Sequence, residues 1–287
     1  MKKKNLLLLA PIALSTALFL GYRTWDRIQT DIVPPEISIS TEDLQTSVSD
    51  PKSALLQGIT ARDDRDGDVT DSLLVENVTI LDENGTIEVA FAAFDQSGNV
   101  SKGIRTARYI DYESPRFYLN QPLLFAHNSG FDLMAAISAE DPLDGNIQHR
   151  IRATSQDDAT IGSLGDHRVE FQVTNSLGDT VRLTLPVTVY SANTYGLEVK
   201  LNKYLVYLEK GAKFRAGQYL TEVKRGLNTT SFEDGTPDGY SVRISGDVNT
   251  NVPGIYPVDY TVTYIQPSAE GKQYITGISR LIVIVEE

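Results

Sequence analysis

The chain has 287 residues, of which 41% are hydrophobic, so it is long and apolar enough for two or three folded domains. Its formal net charge is −12 at pH 7, which argues against a nucleic-acid partner because such partners select basic surfaces. It has no cysteines, which excludes disulfides, thiolate metal sites and cysteine nucleophiles.

The first thirty residues contain an apolar segment behind a basic start. Three lysines precede an apolar run from Leu6 to Leu20. A helix from Asn5 to Tyr22 would be about 27 Å long, just enough to cross a bilayer. Lysines before such a helix favour a cytoplasmic N-terminus and export of the remainder. We therefore predict a cytoplasmic tip and signal anchor over residues 1–30, in a single-pass cell-membrane protein whose C-terminal part is extracellular.

A cleaved signal peptide is the competing interpretation of this segment. The apolar run is short and contains small residues such as Ala13 and Ala17. Those residues lie inside the run, however, and the stretch from Leu18 to Arg23 lacks a small-x-small cleavage site. Both interpretations require export, and they differ in whether the N-terminal helix remains in the membrane.

Two stretches of the first hundred residues recur later in the chain. Residues 59–69 (ITARDDRDGDV) match residues 137–147 (ISAEDPLDGNI) at an offset of 78. Residues 85–99 match residues 165–179 at an offset of 80, both with the pattern Gly-x-x-x-Val-x-Phe. A weaker third copy of that pattern begins at Gly254 and lacks the turn that follows it in the others. This self-similarity predicts three structural repeats.

The repeats show the period-two alternation of half-buried β-strands. In the second, Val169, Phe171 and Val173 alternate with polar residues. We predict an all-β fold of three tandem Ig-like β-sandwich domains after one N-terminal transmembrane helix. Proline and polar linkers place the boundaries, which give domain 1 over residues 31–111, domain 2 over 112–191 and a divergent domain 3 over 192–287.

The first repeat resembles a known family. The motifs stand in it as Pro34-Pro35-x-Ile37, Ala61-x-Asp63-x-x-Asp66-Gly67-Asp68-Val69-Thr70 and Ala93-x-Asp95-x-Ser97-Gly98-Asn99. They are similar to bacterial Ig-like repeats of surface proteins and crystal-toxin-associated domains, and to hyalin repeats. The likeness is specific over residues 34–111, worn over 115–190 and partial over 195–287. It implies a stalk, spacer or binding domain at a bacterial cell surface.

The acidic residues of the first repeat have two interpretations. Hard oxygen ligands for Ca²⁺ are offered by Asp63, Asp64, Asp66, Asp68 and Asp95. Alternatively, the Asp-Gly sequences form turns in which aspartate side chains accept hydrogen bonds from backbone N–H groups. The second repeat keeps Asp141 but has Pro142 at the position of Asp64, so a strict ligand set is not maintained. We predict no cofactor, and calcium at these five residues is the one alternative that the sequence suggests.

Tyrosines are dense in the third repeat. We predict Tyr219, Tyr240 and Tyr256 as binding residues, because large rigid rings contact sugars and proteins at low entropic cost. The alternative is that tyrosine is simply a favoured residue of half-buried strands.

No catalytic motif is recognisable, since Gly-x-Ser-x-Gly, phosphate-loop and dinucleotide patterns are absent and the three histidines are dispersed. We therefore predict a non-enzymatic, membrane-anchored extracellular rod of Ig-like domains with a structural, adhesive or spacer role. The alternative is a carbohydrate- or protein-binding accessory module for a separate surface enzyme or assembly. The expected partners are the membrane, through the N-terminal helix, and a surface protein or glycan, with no nucleic acid.

Overall fold

The computed structural model describes residues 14–23, 25, 31–40, 43–155, 162–192, 194–268 and 271–287. The chain divides into two compact units, Met1–Glu113 and Ser114–Glu287. The described strands form six sheets, two in each of the three predicted repeats. The predicted domain boundaries after residues 111 and 191 stay predictions.

The described residues of the predicted N-terminal segment, 14–23 and 25, are helical. Among the described residues, no helix is long and apolar enough to cross a membrane. The prediction of a single-pass membrane protein, with its transmembrane signal anchor and its membrane partner, is therefore wrong. Residues 1–13, 24 and 26–30 of the predicted segment lie outside the described residues.

The first unit contains two sheets. Its strands are β1 (Glu36–Ile39), β2 (Leu44–Thr46), β3 (Ile59–Asp63), β4 (Gly67–Asp68), β5 (Leu74–Ile80), β6 (Thr86–Phe94) and β7 (Val100–Tyr109). One sheet has the order β1-β3-β4 and the other β2-β7-β6-β5, in which only β2 and β7 pair in parallel. Short 3₁₀ turns cover Lys52–Leu56 and Thr70–Ser72.

The second repeat has the same plan. Its strands are β8 (Arg116–Leu119), β9 (Leu124–Ala126), β10 (Ile137–Asp141), β11 (Gly145–Asn146), β12 (Arg152–Ser155), β13 (Gly165–Thr174) and β14 (Thr180–Tyr190). The sheet orders are β11-β10-β8 and β12-β13-β14-β9, with β9 parallel to β14. Short 3₁₀ turns cover Met134–Ala136 and Gln148–Arg150.

The third repeat has the same strand plan as the second, with longer final strands. Its strands are β15 (Glu198–Leu201), β16 (Leu205–Leu208), β17 (Leu220–Arg225), β18 (Asn228–Ser231), β19 (Tyr240–Ser245), β20 (Gly254–Ser268) and β21 (Gly271–Val285), with a 3₁₀ turn at Ala216–Gln218. The sheet orders are β15-β17-β18 and β16-β21-β20-β19, with β16 parallel to β21.

Each pair of sheets packs as a sandwich because apolar residues alternate along the strands. In the second repeat, Val169 and Phe171 of β13 share one buried core with Phe117 of β8 and Ile137 of β10. A three-stranded and a four-stranded sheet over a common core is the arrangement of immunoglobulin-like sandwiches. The predicted all-β fold with sheet-pair repeats is confirmed.

Glycines make the turns at one end of the first sandwich. Gly67 is the first residue of β4, directly after the turn from β3, with φ +76°, and Gly98 lies between β6 and β7 with φ +88°. Positive φ is cheap only for glycine, which explains the Asp-Gly and Ser-Gly-Asn sequences. Gly145 and Gly178 occupy the same places in the second repeat, with φ of +67° and +88°. These turns position the acidic residues singled out above.

Candidate functional site

Three buried aspartates meet at this end of the first sandwich. Asp31 precedes β1, Asp63 ends β3, and Asp95 follows β6. Each offers a carboxylate oxygen, and these oxygens lie within 4.8 Å of one another. The residues are 6%, 3% and 8% exposed, respectively. We call these three residues the carboxylate cluster. Within the described part of the chain, it is the one group of three or more acidic, histidine or cysteine side chains this close together.

Hydrogen bonds from the turns fix two of the three carboxylates. Asp63 Oδ2 accepts the backbone N–H groups of Arg65 (2.7 Å) and Asp66 (3.2 Å). Asp95 Oδ1 accepts the backbone N–H of Asn99 (2.7 Å), and Asp95 Oδ2 accepts its side-chain Nδ2–H (2.6 Å). The cluster is therefore built by the same Asx-type turns that the Asp-Gly sequences predict.

Two oxygens of the carboxylate cluster lack a hydrogen bond. Asp31 Oδ1 accepts the backbone N–H of Val33 (3.0 Å), but Asp31 Oδ2 and Asp63 Oδ1 are buried without a hydrogen-bond partner. Arg65 Nε stands 3.7 Å from Asp31 Oδ2, close enough for an ion pair and too far for a hydrogen bond. Most buried polar atoms in proteins are hydrogen-bonded, and carboxylates this close repel one another. The arrangement is suited to a hard cation, which takes oxygen ligands.

The electrostatics keep Asp95 ionised. Burial alone would raise the pKa of Asp95, but it is outweighed by hydrogen bonds from the Asn99 side chain and backbone and from the amides of Gly98 and Ser97. The pKa therefore lies below the usual aspartate value, and Asp95 carries its negative charge at neutral pH.

The other aspartates of the predicted calcium set lie outside the cluster. Asp64 and Asp68 are exposed, and Asp66 is half-buried. Asp66 Oδ2 accepts the backbone N–H of Gln96 (2.8 Å), which ties the two turns together. Asp68 Oδ1 accepts the backbone N–H of Thr70 (3.0 Å). Turn formation accounts for the positions of Asp66 and Asp68.

Sequence reasoning missed the third member of the cluster. Asp31 lies outside the repeated motifs and well before Asp63 in the chain. Only the folded chain brings it to the ends of β3 and β6. The signal that was available is that Asp31 lies three residues before Pro34, close to the start of the first strand.

The three tyrosines predicted as binding residues have separate settings. Tyr219 is buried in the core of the third repeat, at 7% exposure. Tyr240 is half-buried and packs against Tyr264, with ring centroids 4.9 Å apart. Tyr256 is half-buried and donates its hydroxyl hydrogen bond to the Val252 carbonyl (2.8 Å). Each side chain is engaged in contacts within its own repeat.

A cleft of about 610 Å³ lies between the second and third repeats, within the second unit. Two aromatic pairs line it: Phe125 stacks on Phe131 with centroids 4.2 Å apart, and Tyr190 meets Tyr195 edge-on at 4.8 Å. Polar side chains at its wall come from Gln121, Asp132, Glu198 and Lys200. Aromatic surfaces with a few polar groups are typical of ligand sites.

A packed joint connects the second and third repeats beside this cleft. The Tyr207 hydroxyl of β16 accepts the Phe117 backbone N–H and donates to the Phe117 carbonyl, both at 3.2 Å. The Arg116 guanidinium lies 5.0 Å from the Tyr207 ring centroid and forms an ion pair with Glu286 (3.2 Å). Burial raises the pKa of Tyr207 to about 12, so the ring is neutral in the joint.

An arginine makes a second link across the joint. Arg280 of β21 pairs with Asp259 (2.6 Å) and donates a hydrogen bond from Nη1 to Thr188 Oγ1 of the second repeat (2.9 Å). Leu205 and Ile282 of the third repeat are buried in the core of the second. The joint therefore combines apolar packing with specific hydrogen bonds.

No protein-family model and no curated protein matches the chain. Solved structures do match it, as three examples show. A protocadherin gammaB7 EC3-6 cis-dimer structure is 10% identical, covers 88% of this chain and 74% of its own, and has a TM-score of 0.21. A structure of CBM51-2 in complex with GlcNAc and INT domains from Clostridium perfringens ZmpB is 13% identical, covers 87% of this chain and 44% of its own, and has a TM-score of 0.22. Human protocadherin-24 EC1-2 is 11% identical, covers 61% and 99%, and has a TM-score of 0.21.

Proposed function

We propose that this chain is a non-enzymatic structural or adhesive protein that works outside the cell, with β-sandwich repeats as its body. The joint between the second and third repeats supports this proposal. Tyr207 and Arg280 bond across it, while Leu205 and Ile282 pack into the neighbouring core. A spacer or stalk must keep its domains oriented under load, and a packed, hydrogen-bonded joint does so where a flexible tether does not.

Mechanical unfolding of single full-length molecules tests the structural role. In the wild type, the second and third repeats should unfold in one cooperative event. Tyr207→Ala removes the ring and both hydrogen bonds to Phe117, so it should split this event into two at lower force. Tyr274→Ala is the matched control, because Tyr274 is 63% exposed. Independent unfolding of the two repeats in the wild type would contradict a load-bearing role.

The cleft favours a second candidate function, which is carbohydrate binding. Its half-buried rings, Phe131, Tyr190 and Tyr195, offer surface for the apolar face of a sugar, and its carboxylate, amide and ammonium groups suit hydroxyl partners. Burial, with a smaller contribution from Tyr195, raises the pKa of Tyr190, so the Tyr190 hydroxyl stays a neutral hydrogen-bonding group at physiological pH.

A glycan array with the full chain tests this second candidate. The expected result is a defined set of bound glycans that Tyr195→Ala reduces at least about tenfold, the effect of losing one stacking contact and its area. Tyr274→Ala should leave that set unchanged. An array on which the wild type binds nothing, or on which Tyr195→Ala binds as the wild type does, would reject the cleft as the binding site.

A further inference from the structure

In the second repeat, the position equivalent to the carboxylate cluster contains one aspartate and one asparagine, Asp141 and Asn175. We call this position, at the turns that follow β3 and β6 or β10 and β13, the turn corner. Asp141, the counterpart of Asp63, uses Oδ1 to accept the backbone N–H groups of Leu143 and Asp144, both at 2.9 Å. Its Oδ2 accepts the side-chain Nδ2–H of Asn175 at 2.9 Å. Both carboxylate oxygens are therefore hydrogen-bonded, and the neutral amide adds no charge.

The first repeat has a carboxylate at the position of that amide. Asp95 replaces Asn175, so the donor that would satisfy the second oxygen of Asp63 is gone. Asp31 then adds a third carboxylate, whose Oδ2 also lacks a hydrogen bond. All three residues are more than nine-tenths buried. Arg65 pairs with Asp31 Oδ2 at 3.7 Å, but one partly exposed guanidinium does not balance three buried carboxylates. The acidic side chain in place of the donor, with two buried oxygens that lack hydrogen bonds, therefore indicates that further positive charge is supplied from outside the chain.

We propose that Asp31, Asp63 and Asp95 bind one hard divalent cation, Ca²⁺, at the turn end of the first repeat. The ligand atoms in the cluster are all carboxylate oxygens, which match Ca²⁺ and not the softer metals that prefer histidine or cysteine. Calcium also tolerates irregular coordination by six to eight oxygens, so backbone carbonyls and water complete its shell. The site differs from the five-residue set suggested by the sequence, because Asp31 replaces Asp64, Asp66 and Asp68.

The same ion fastens the N-terminal segment to the first sandwich. Residues 31–35 enter β1, and two contacts hold them: Asn99 Nδ2 donates to the Asp31 carbonyl (3.2 Å), and Ser101 Oγ donates to the Pro35 carbonyl. In the apo protein, repulsion from Asp63 and Asp95 opposes these contacts. In the calcium form, the three carboxylates share one cation, and occupancy sets how firmly this segment is held.

Hydrogen–deuterium exchange of the full chain, in calcium chloride and in EGTA, tests the proposal. Calcium should slow exchange in peptides that contain residues 31–35, 63–66 and 95–99. The matching turns of the second repeat, residues 141–144 and 175–179, are the internal control and should exchange equally in both conditions. Equal exchange at the first-repeat turns with and without calcium would overturn the proposal, and so would protection of the second-repeat turns alone.

Thermal unfolding gives an independent measurement on the same protein. Calcium at about 100 times its Kd should raise the Tm of the first unit by about 10 °C, because it binds only the folded site. Asp95→Asn copies the second repeat, so its new amide can donate to Asp63 Oδ1. This variant should lose the calcium shift while its Tm in EGTA equals or exceeds that of the wild type.

Asp64→Asn is the matched control, because it removes one exposed aspartate outside the cluster and should keep the full calcium shift. A calcium shift that survives Asp95→Asn, or that disappears in Asp64→Asn, would overturn the assignment. If Asp95→Asn fails to fold, the exchange pattern of the wild type still decides the question.

Discussion

In the second repeat, a neutral amide and one aspartate form the turn corner through a direct hydrogen bond, Asn175 Nδ2 to Asp141 Oδ2. In the first repeat, the same corner contains three carboxylates, and two of their oxygens have no hydrogen bond. The backbone is otherwise alike: Asp63 and Asp141 each accept two successive turn N–H groups with a single oxygen.

The difference separates two tasks of the same aspartate. One oxygen of Asp63 or Asp141 builds the turn, and this task is common to both repeats. The second oxygen faces residue 95 or 175, and the identity of that residue decides whether the corner closes on itself or attracts a cation. The exchange of aspartate and asparagine, together with the added Asp31, therefore changes the chemistry of the corner while the turn hydrogen bonds stay alike.

Truncating one core phenylalanine in each repeat has the largest expected effect, and it tests whether the two repeats are alike away from the turn corner. Phe91 of β6 and Phe171 of β13 are equivalent residues, and both are fully buried. We expect Phe91→Ala and Phe171→Ala to lower the free energy of unfolding by about 3–5 kcal/mol each, through lost burial and cavity formation. Scanning calorimetry of the full chain measures both, and hydrogen exchange assigns each loss to its repeat.

A clearly unequal response of the two cores would show that the repeats differ in more than the corner. One structural difference is already present at this level. Gly103 lies opposite Phe91 on β7, whereas Leu183 lies opposite Phe171 on β14. A Cβ on Gly103 would come within 2.6 Å of the Phe91 ring, so the glycine makes room for that ring.

The fold was largely predictable because its signals are local or repeated. The alternation at Val169, Phe171 and Val173 predicted the buried face of β13. The Asp-Gly and Ser-Gly-Asn sequences predicted the turns at Gly67 and Gly98, where φ is positive. The cluster was only half predictable. Asp63 and Asp95 lie in repeated motifs, but Asp31 reaches them through tertiary folding, which no short-range spacing reports.

The membrane prediction was wrong for a related reason. Apolar composition from Leu6 to Leu20 indicates how well a segment dissolves in lipid, but it does not by itself establish a continuous membrane-spanning helix. Among the described residues, no helix is long and apolar enough to cross a membrane. The binding role of the three tyrosines stays a prediction, and residue type alone did not report that Tyr219 is only 7% exposed.

Giving the second repeat the aspartate that the first repeat has at this position should have an intermediate effect on stability. Asn175→Asp removes the hydrogen-bond donor to Asp141 and places a second carboxylate beside it. At pH 7 we expect the free energy of unfolding to fall by about 2 kcal/mol, because two close carboxylates repel and an acceptor loses its partner. Urea unfolding of the full chain with hydrogen exchange measures this loss.

Acidification should restore much of this stability to Asn175→Asp. Protonating one carboxyl in acid removes the like-charge pair and provides an O–H donor to the other. Ser176→Thr is a suitable control for changes in the turn, since it keeps the hydroxyl that bonds Asp144. If Asn175→Asp is as stable as the wild type at pH 7, the proposed cost of the carboxylate corner in the first repeat is also refuted.

The smallest effect concerns the aspartate that ties the two turns together. Asp144 accepts hydrogen bonds from the Ser176 backbone N–H (2.7 Å) and hydroxyl (2.7 Å) and forms an ion pair with Arg150 (2.6 Å). In the first repeat, Ser72 stands at the position of Arg150 and Gln96 at the position of Ser176. Burial alone would raise the pKa of Asp144, but Ser176 and Arg150 outweigh it and lower the pKa.

Because the folded-state pKa lies below the unfolded one, Asp144 contributes stability that is present above about pH 4 and is lost as the pH falls through the folded-state pKa. Arg150→Ala should lower the free energy of unfolding at pH 7 by about 0.5 kcal/mol, since the ion pair is partly exposed. It should also flatten the decline in acid, as the pKa of Asp144 returns toward its usual value. The exposed Arg152, changed to Ala, is the charge-matched control for urea unfolding between pH 3 and pH 7. If the free energy of unfolding falls equally steeply with decreasing pH in Arg150→Ala and Arg152→Ala, Arg150 does not set the ionisation of Asp144. The two repeats would then differ electrostatically only at the carboxylate cluster.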